Sequence, residues 1–329
     1  MADPEEQILK TIEQANSLPT VPAVAVAILR MSHDPRTSIE KLAETLEKDP
    51  ALAAKTLRFA NSSYYGASQP IVSMPQALVR IGIRGTRMLA LSFSLIGACN
   101  KIGATEFDFP AFWRRSLTTS VAARRMATCS VSSLAEPAFV GALLSDIGCP
   151  VLAATFPRQY RAIEKMLASG HRDLAELEGR LLGVTHAAVG KMVLKAWHLP
   201  DLLEEAVGAH HDPKALEPDS DAFSIAAVIM AASELADIVI RGSTPSRIRR
   251  LATTFNEYFS FGGRHMDVLL KDLWPEIRSV ATMLDVPVPS VDRVQEAAKS
   301  EMLKLTLEQA TEQVTAGAAQ SGPGDSESP

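Results

Sequence analysis

His186, His210 and His211, with Asp146 and Asp237, are the side chains of this sequence best suited to chemistry. Neutral imidazoles and carboxylates are what a protein uses to hold a divalent cation and make its bound water nucleophilic. A plainer reading stands beside each of them. His210-His211 closes a helical pattern, where imidazoles bond the last carbonyls and meet the negative end of the dipole. His186 follows Thr185 at a helix start and reads as a buried, satisfied histidine. Asp146, in Ser145-Asp146-Ile147-Gly148, reads as a turn and cap residue kept by packing. Arg80, Arg84 and Arg87 are spaced four and three apart and share a face if a helix survives Gly82 and Gly85. Such a fork can grip a phosphate, including that of a cyclic dinucleotide, although arginines so placed more often solvate a face.

The elements that must position these groups are helical. Thr37-Ser38-Ile39-Glu40 has the form of a capping box with Thr37 as its first member. Asp49-Pro50 supplies an N-cap and a proline at the first helical position, and Leu52, Thr56, Leu57 and Phe59 mark the stripe that follows. Asn61 to Gly66 breaks the period, with Asn61, Ser62, Tyr64 and Tyr65 expected to serve the turn itself. Ser73-Met74-Pro75-Gln76 starts another helix. A long Ala-rich pattern runs from Phe109-Pro110 through Trp113 to Cys129, and a second from Pro137 to Leu144. Thr185 caps a helix carrying His186, and Pro200 opens one carrying Leu203 and Val207 before Asp212-Pro213 stops it. Beyond a polar link, a helix is expected over 222–240, another from Arg247 to Phe261, and one from Met266 that Pro275 kinks or restarts. An amphipathic pattern through Val291, Val294, Ala298, Met302 and Leu305 comes last. Alternating β-branched runs are missing, so the expected class is all-α.

Composition narrows the function classes. Of 329 residues, 47% are hydrophobic, enough to bury a large core, while aromatics at 5% suit close helix packing. The net charge of −5 disfavours nucleic acid as a main partner. The basic cluster Arg241, Arg247, Arg249 and Arg250 lacks interleaved aromatics for base stacking. Cys99, Cys129 and Cys149 are too scattered for a thiolate zinc site or a disulfide framework, which fits a reducing, cytoplasmic setting. The N-terminus is acidic, unlike a secretory signal, and the apolar run 222–240 carries Glu234 and Asp237, so a buried helix is expected there instead of a membrane span.

Two ordered sets of motifs bring a family into view. The first is Leu18-Pro19-Thr20-Val21-Pro22, then Asp49-Pro50-Ala51-Leu52-Ala53, then Leu57-Arg58-Phe59-Ala60-Asn61-Ser62-Ser63-Tyr64-Tyr65-Gly66. The second is Phe112-Trp113-Arg114-Arg115-Ser116, Gly141-Ala142-Leu143-Leu144-Ser145-Asp146-Ile147-Gly148, Gly183 to Gly190, Trp197-His198-Leu199-Pro200 and His210-His211-Asp212-Pro213. In this order they resemble the HD-related output domain (HDOD) family over residues 12–213, with an N-terminal helical half over 12–105 and an HD-like half over 106–213. Residues 1–11 precede it, a C-terminal helical extension over 214–316 is expected to pack on the HD-like half, and 317–329 reads as a disordered tail.

Active members of the HD superfamily hydrolyse phosphate esters with one or two metals, held by a first helical histidine, a His-Asp pair, further histidines and a late helical aspartate. By that resemblance, Arg115 stands at the position of the first histidine and Ser145 at that of the paired histidine, leaving Asp146, His186, His210, His211 and Asp237. Serine is a weak ligand, and a permanent cation opposes a metal. At an effective dielectric of about 20, a unit charge roughly 4 Å away contributes on the order of 4 kcal/mol, and a dication would feel about twice that. The resemblance therefore implies a site without metal, cofactor or catalysis, in which Arg115 pairs with Asp146 and with Asp237. The implied function is a cytoplasmic regulatory or scaffold module of bacterial-type signal transduction. Its expected partners are other signalling proteins, a second copy of the chain being one candidate. The alternatives are a divergent metal-dependent phosphohydrolase and a non-catalytic cyclic-dinucleotide receptor.

Overall fold

Helices begin where an acceptor side chain precedes a proline or an apolar period. In the computed structural model, the described residues are 4–14, 23–32, 38–61, 69–83, scattered positions between 85 and 104, 107–169, 173–242, 244–259 and 273–283. The N-terminal helices are α1 (Pro4–Gln14), α2 (Ala23–Ser32), α3 (Ile39–Glu47), α4 (Pro50–Ala60) and α5 (Met74–Ile81). A second series comprises α6 (Phe109–Ser130), α7 (Ala135–Leu144), α8 (Gly148–Thr155), α9 (Pro157–Ala168), α10 (Leu174–Leu182), α11 (His186–Ala196) and α12 (Asp201–Gly208). Then come α13 (Asp221–Arg241), α14 (Pro245–Tyr258) and α15 (Leu273–Met283). No strand occurs among the described residues, and the fold is all-α.

The caps follow the sequence closely. Asp49 Oδ1 accepts from the N–H groups of Ala51 and Leu52, and Thr185 Oγ1 accepts from Ala188 N–H. Each such cap contributes about 1 kcal/mol by satisfying an amide the helix leaves open. One register differs from expectation. Ser38, not Thr37, is the N-cap of α3, its Oγ accepting from Lys41 N–H at 3.3 Å. Ser38 has the extended backbone a cap needs, and Leu42, Ala43 and Leu46 then fall on the buried side. Pro275 lies in the first described turn of α15, and the expected start at Met266 falls outside the described residues. Asn61 fills the structural role expected of it. Its Nδ2 donates to the carbonyls of Leu57 and Ile71, and its Oδ1 accepts from Ile71 N–H, clamping the end of α4 to the chain before α5. Ser62, Tyr64, Tyr65, Arg84, Arg87, Cys99, the pattern through Leu305 and the tail lie outside the described residues.

Helix α6 is the axis of the second series. Its buried residues include Ser116, Thr118, Thr119, Ser120, Ala122 and Ala123, small enough for α7 and α13 to lie close along it. Three of the buried hydroxyls cost little because they bond carbonyls of the helix itself, Thr118 to Arg114, Thr119 to Arg115 and Ser120 to Leu117, while Ser116 Oγ has no hydrogen-bond partner among the described residues. Two stretches, Ser132–Thr155 and Asp221–Arg241, are long and apolar enough to cross a membrane, but 83% and 67% of their apolar windows are buried within the protein, as core helices are. Helix α13 packs on α6, α7 and α12, so the expected buried helix over 222–240 is a wall of the same core. Helix α15 touches both α6 and α4, bridging the two series.

Candidate functional site

The N-terminal turns of α6 carry Arg115 into a cluster built from five other places in the chain. Its Nε donates to Asp237 Oδ1 on α13 at 3.1 Å, its Nη1 bonds Asp146 Oδ2 in the turn after α7, and its Nη2 donates to Ser233 Oγ at 2.5 Å. All three guanidinium nitrogens are used. Asp146 Oδ1 faces the other way, 3.4 Å from His186 Nε2 and 3.6 Å from His210 Nε2. His186 opens α11 and is fully enclosed. Its Nδ1 lies 2.6 Å from Glu178 Oε2 on α10, and that same oxygen accepts from the His186 backbone N–H at 2.7 Å. His211 Nε2 lies 2.9 Å from His186 Nε2.

Two glycines make this approach feasible. At Gly148 an added Cβ would sit 2.2 Å from the His186 carbonyl oxygen, so only glycine lets α8 start against α11. Gly183 ends α10 in the left-handed region, at φ 73°, turning the chain back so that His186 meets Glu178.

The hydrogen bonds decide the proton positions. Burial works against a charge on His186, but Glu178 and Asp146 on either side outweigh it, and its pKa rises to about 10. His186 is therefore an imidazolium at neutral pH, donating from both nitrogens. His211 goes the other way: burial and the neighbouring His210 and His186 rings press it well below the usual imidazole range. It is neutral and accepts from His186. Burial alone would raise the Asp146 carboxyl, yet the Arg115 guanidinium and the two histidine contacts hold it well below the carboxylate range. Burial likewise opposes charge on Arg115, and Asp146 and Asp237 more than restore it. His210 Nδ1 lies 2.7 Å from the Val207 carbonyl, which can only accept. Nδ1 thus carries a proton, while the buried Nε2 faces Asp146 Oδ1 at 3.6 Å, beyond hydrogen-bond distance.

The structure thus brings together Arg115, Asp146, His186, His210, His211 and Asp237. Arg115 pairs with both carboxylates, as the sequence led us to expect. His210 also caps the end of its own helix, in line with its plainer reading. Ser145 is close in sequence but not in role, its buried hydroxyl donating to the Ala142 carbonyl. Arg80 lies in the last turn of α5. The arginines after α13 are engaged locally. Arg247 Nη1 donates to the carbonyls of Arg241 and Gly242, Arg250 pairs with Glu234, and Arg241 with Asp237. Sequence reasoning missed Glu178 and Ser233. The signal for Glu178 was present: it shares the apolar stripe of α10 with Leu174, Leu177 and Leu182, where a carboxylate needs a partner. Beside the site, burial and the Glu178 and Asp146 charges push the Cys149 thiol well above its ordinary pKa and so favour its protonated form.

A hydrolytic metal pair does not fit these residues as they stand. The ligating nitrogens of His186, His210 and His211 lie within 4.8 Å of one another, a distance a cation could bridge. However, Glu178 already engages His186 Nδ1 at 2.6 Å, so Nε2 is the nitrogen that faces the cluster. Asp146 already bonds a permanent cation, and Ser145 faces away.

The fold and this cluster define an all-helical domain with an arginine, two carboxylates and three imidazoles gathered at one centre. The chain belongs to the HDOD domain family, whose domain matches residues 18–213. An uncharacterized protein of Treponema pallidum (strain Nichols) is 22% identical over 201 residues, and the match spans 61% of this chain but only 39% of that relative's length. Among solved structures, a Shewanella amazonensis SB2B protein whose name proposes phosphohydrolase activity shares 23% identity, with a TM-score of 0.69 over 84% of this chain and 97% of that one. An HDOD domain protein of unknown function from Geobacter sulfurreducens shares 22%, with a TM-score of 0.68 over 84% of this chain and 98% of its own. At these identities the likeness is one of fold.

Proposed function

We propose that this chain is a regulatory module of cytoplasmic signal transduction that acts by contact with other signalling proteins and turns over no substrate. The observation that carries this reading is the Arg115 guanidinium, bonded at once to Asp146, Asp237 and Ser233. In the HD superfamily a metal provides positive charge at such a centre. Here an arginine side chain supplies it, and a guanidinium can neither exchange ligands nor lower the pKa of a bound water. The centre becomes a permanent tie between α6, the turn after α7, and α13. Fold likeness to HDOD proteins supports placing the module in signalling.

The test is metal content and turnover measured on one preparation. Elemental analysis of the purified chain is expected to find substoichiometric transition metal. Hydrolysis of bis(p-nitrophenyl) phosphate with added Mn2+, Fe2+ or Zn2+ is expected to stay at the buffer rate. One observation favours the divergent phosphohydrolase instead, namely the unpartnered His210 Nε2 facing Asp146. Stoichiometric metal together with turnover that Asp146→Asn abolishes would establish that alternative and defeat the regulatory one.

A further inference from the structure

Next to the Arg115 cluster, and sharing His186 with it, lies a second group of ligating atoms. The Cys149 thiol, a Glu178 carboxylate oxygen and a His186 ring nitrogen lie within 4.8 Å of one another, and all three residues are buried. They come from α8, α10 and α11. Glu178 is fully enclosed, and only one of its oxygens is used. Its Oε2 accepts from the His186 backbone N–H and lies 2.6 Å from Nδ1, while Oε1 has no hydrogen-bond partner among the described residues. A carboxylate oxygen buried without a donor is destabilising, and a cation relieves it.

Charge balance permits a dication here. Without one, the neutral thiol, the Glu178 carboxylate and the His186 imidazolium sum to zero. With one, a thiolate, a carboxylate, a neutral imidazole and two positive charges again sum to zero, so no net charge is buried. Burial and the nearby carboxylates hold the Cys149 thiol protonated, and a coordinated dication reverses this outright. The other side of His186 also suits a metal ligand. Its Nε2 lies 3.4 Å from Asp146 Oδ1, and ligating histidines characteristically turn their second ring N–H to a carboxylate. Tetrahedral zinc ligands stand about 3.3–3.8 Å apart, so the group must contract by about 1 Å. A cleft of about 270 Å3, bordered by Arg115, Asp146, Tyr160 and Cys149, gives a cation a way in.

We propose that Cys149, Glu178 and His186 bind a thiophilic divalent cation of the zinc and cadmium class. The cation takes Cys149 Sγ, a Glu178 carboxylate oxygen and His186 Nδ1, and the thiol and Nδ1 protons leave to water. Three protein ligands leave one tetrahedral position for a water molecule. The site deepens the regulatory reading and rests on it: the cation is an exchanging input, not a resident catalyst. Loading replaces the direct bond between Glu178 and His186 and so alters the tie between α10 and α11.

The probe is Cd2+, titrated into the full chain in a buffer free of thiols, with Mg2+ as the hard-cation comparison. A thiolate-to-cadmium absorption band in the ultraviolet is expected to saturate at equimolar metal, and Mg2+ to give none. Cys149→Ser, which exchanges one buried atom and should keep the fold, is expected to abolish the band. Glu178→Gln should weaken Cd2+ binding about ten-fold or more. Cys129→Ser, at an exposed thiol, should change nothing. No band, a band that survives Cys149→Ser, or a band lost with Cys129→Ser would each overturn the proposal. Phosphodiester hydrolysis measured on the same loaded sample keeps its failure apart from a failure of the regulatory reading. A chain with neither band nor turnover sinks the cation site alone, whereas turnover that Asp146→Asn abolishes sinks the regulatory reading.

Discussion

Helix α6 pairs arginine with carboxylate at both of its ends, and the two ends are used differently. Near its start, Arg115 is shared by Asp146, Asp237 and Ser233, next to three imidazoles and a cleft. Nine and ten residues on, roughly 14 Å along the axis, Arg124 pairs with Glu136 at 2.5 Å and Arg125 with Glu276 at 3.0 Å. Those pairs tie α6 to α7 and to α15. Their side chains are mostly buried too, between 13% and 21% exposed. An arginine–carboxylate pair therefore does not by itself mark a functional site. What distinguishes the first end is that its cation has three partners from two other parts of the chain and that imidazoles with fixed, opposite proton states surround it.

The most severe way to break the first end leaves both arginines in place. Gly148→Ala puts a methyl group where the His186 carbonyl already lies, 2.2 Å away. Neither backbone can yield cheaply, so a loss of about 3 kcal/mol or more is expected in urea unfolding. Gly179→Ala is the control: it meets nothing within 4 Å on α10 and should stabilise by about 0.5–1 kcal/mol. If both substitutions behave alike, the close approach of α8 to α11 is not what holds His186.

The arginines themselves give the next largest contrast. Arg115→Ala strands two carboxylates and a hydroxyl and should cost about 3 kcal/mol, whereas Arg124→Ala strands Glu136 alone and should cost about 1–2 kcal/mol. A double-mutant cycle with Asp146→Asn should show coupling of about 1–3 kcal/mol at the first end. An Arg115→Ala chain with an unchanged melting temperature would remove the tie on which the proposed function depends.

The two ends also differ with pH. His186 has an ordinary pKa of 6.5 and is raised to about 10, so its contribution is complete below 6.5 and is lost as pH climbs through 10. Asp146 is depressed, so its contribution is complete above 3.8 and is lost as pH falls through its lower folded value. Unfolding free energy should therefore decline between pH 7 and 10 by a few kcal/mol. His186→Gln should flatten that decline. An equally steep decline in the variant would place its cause elsewhere.

How much of this could be read in the sequence depends on how far apart the partners lie. Caps act within a turn, so Asp49 and Thr185 were legible, and the slip from Thr37 to Ser38 is the one-residue kind that two adjacent hydroxyls invite. The Arg115 pairing spans 31 and 122 residues and was legible only because resemblance aligned Arg115, Asp146 and Asp237 on one site. Glu178 was not legible in that way. It belongs to no motif, and its partner is fixed by the turn at Gly183 and the close contact at Gly148, both tertiary facts. The basic run after α13 looked like a surface in sequence, yet Arg247 in fact satisfies the carbonyls at the end of that helix.

The smallest effect concerns the second end and has the opposite sign. Burial raises the Glu136 carboxyl more than Arg124 lowers it, so the fold prefers the neutral form more than water does. A carboxyl raised in this way costs stability once pH exceeds its ordinary 4.5, and the cost is absent in acid. Glu136→Gln keeps an oxygen for Arg124 and removes the charge. It should therefore stabilise the chain by up to about 1 kcal/mol at pH 7 and make no difference near pH 4. The matching change at the first end, Asp146→Asn, should destabilise at pH 7, because there the cation is shared and the charged form is the favoured one. Finding the same sign at both ends would mean that the surroundings of Arg115 do not set it apart.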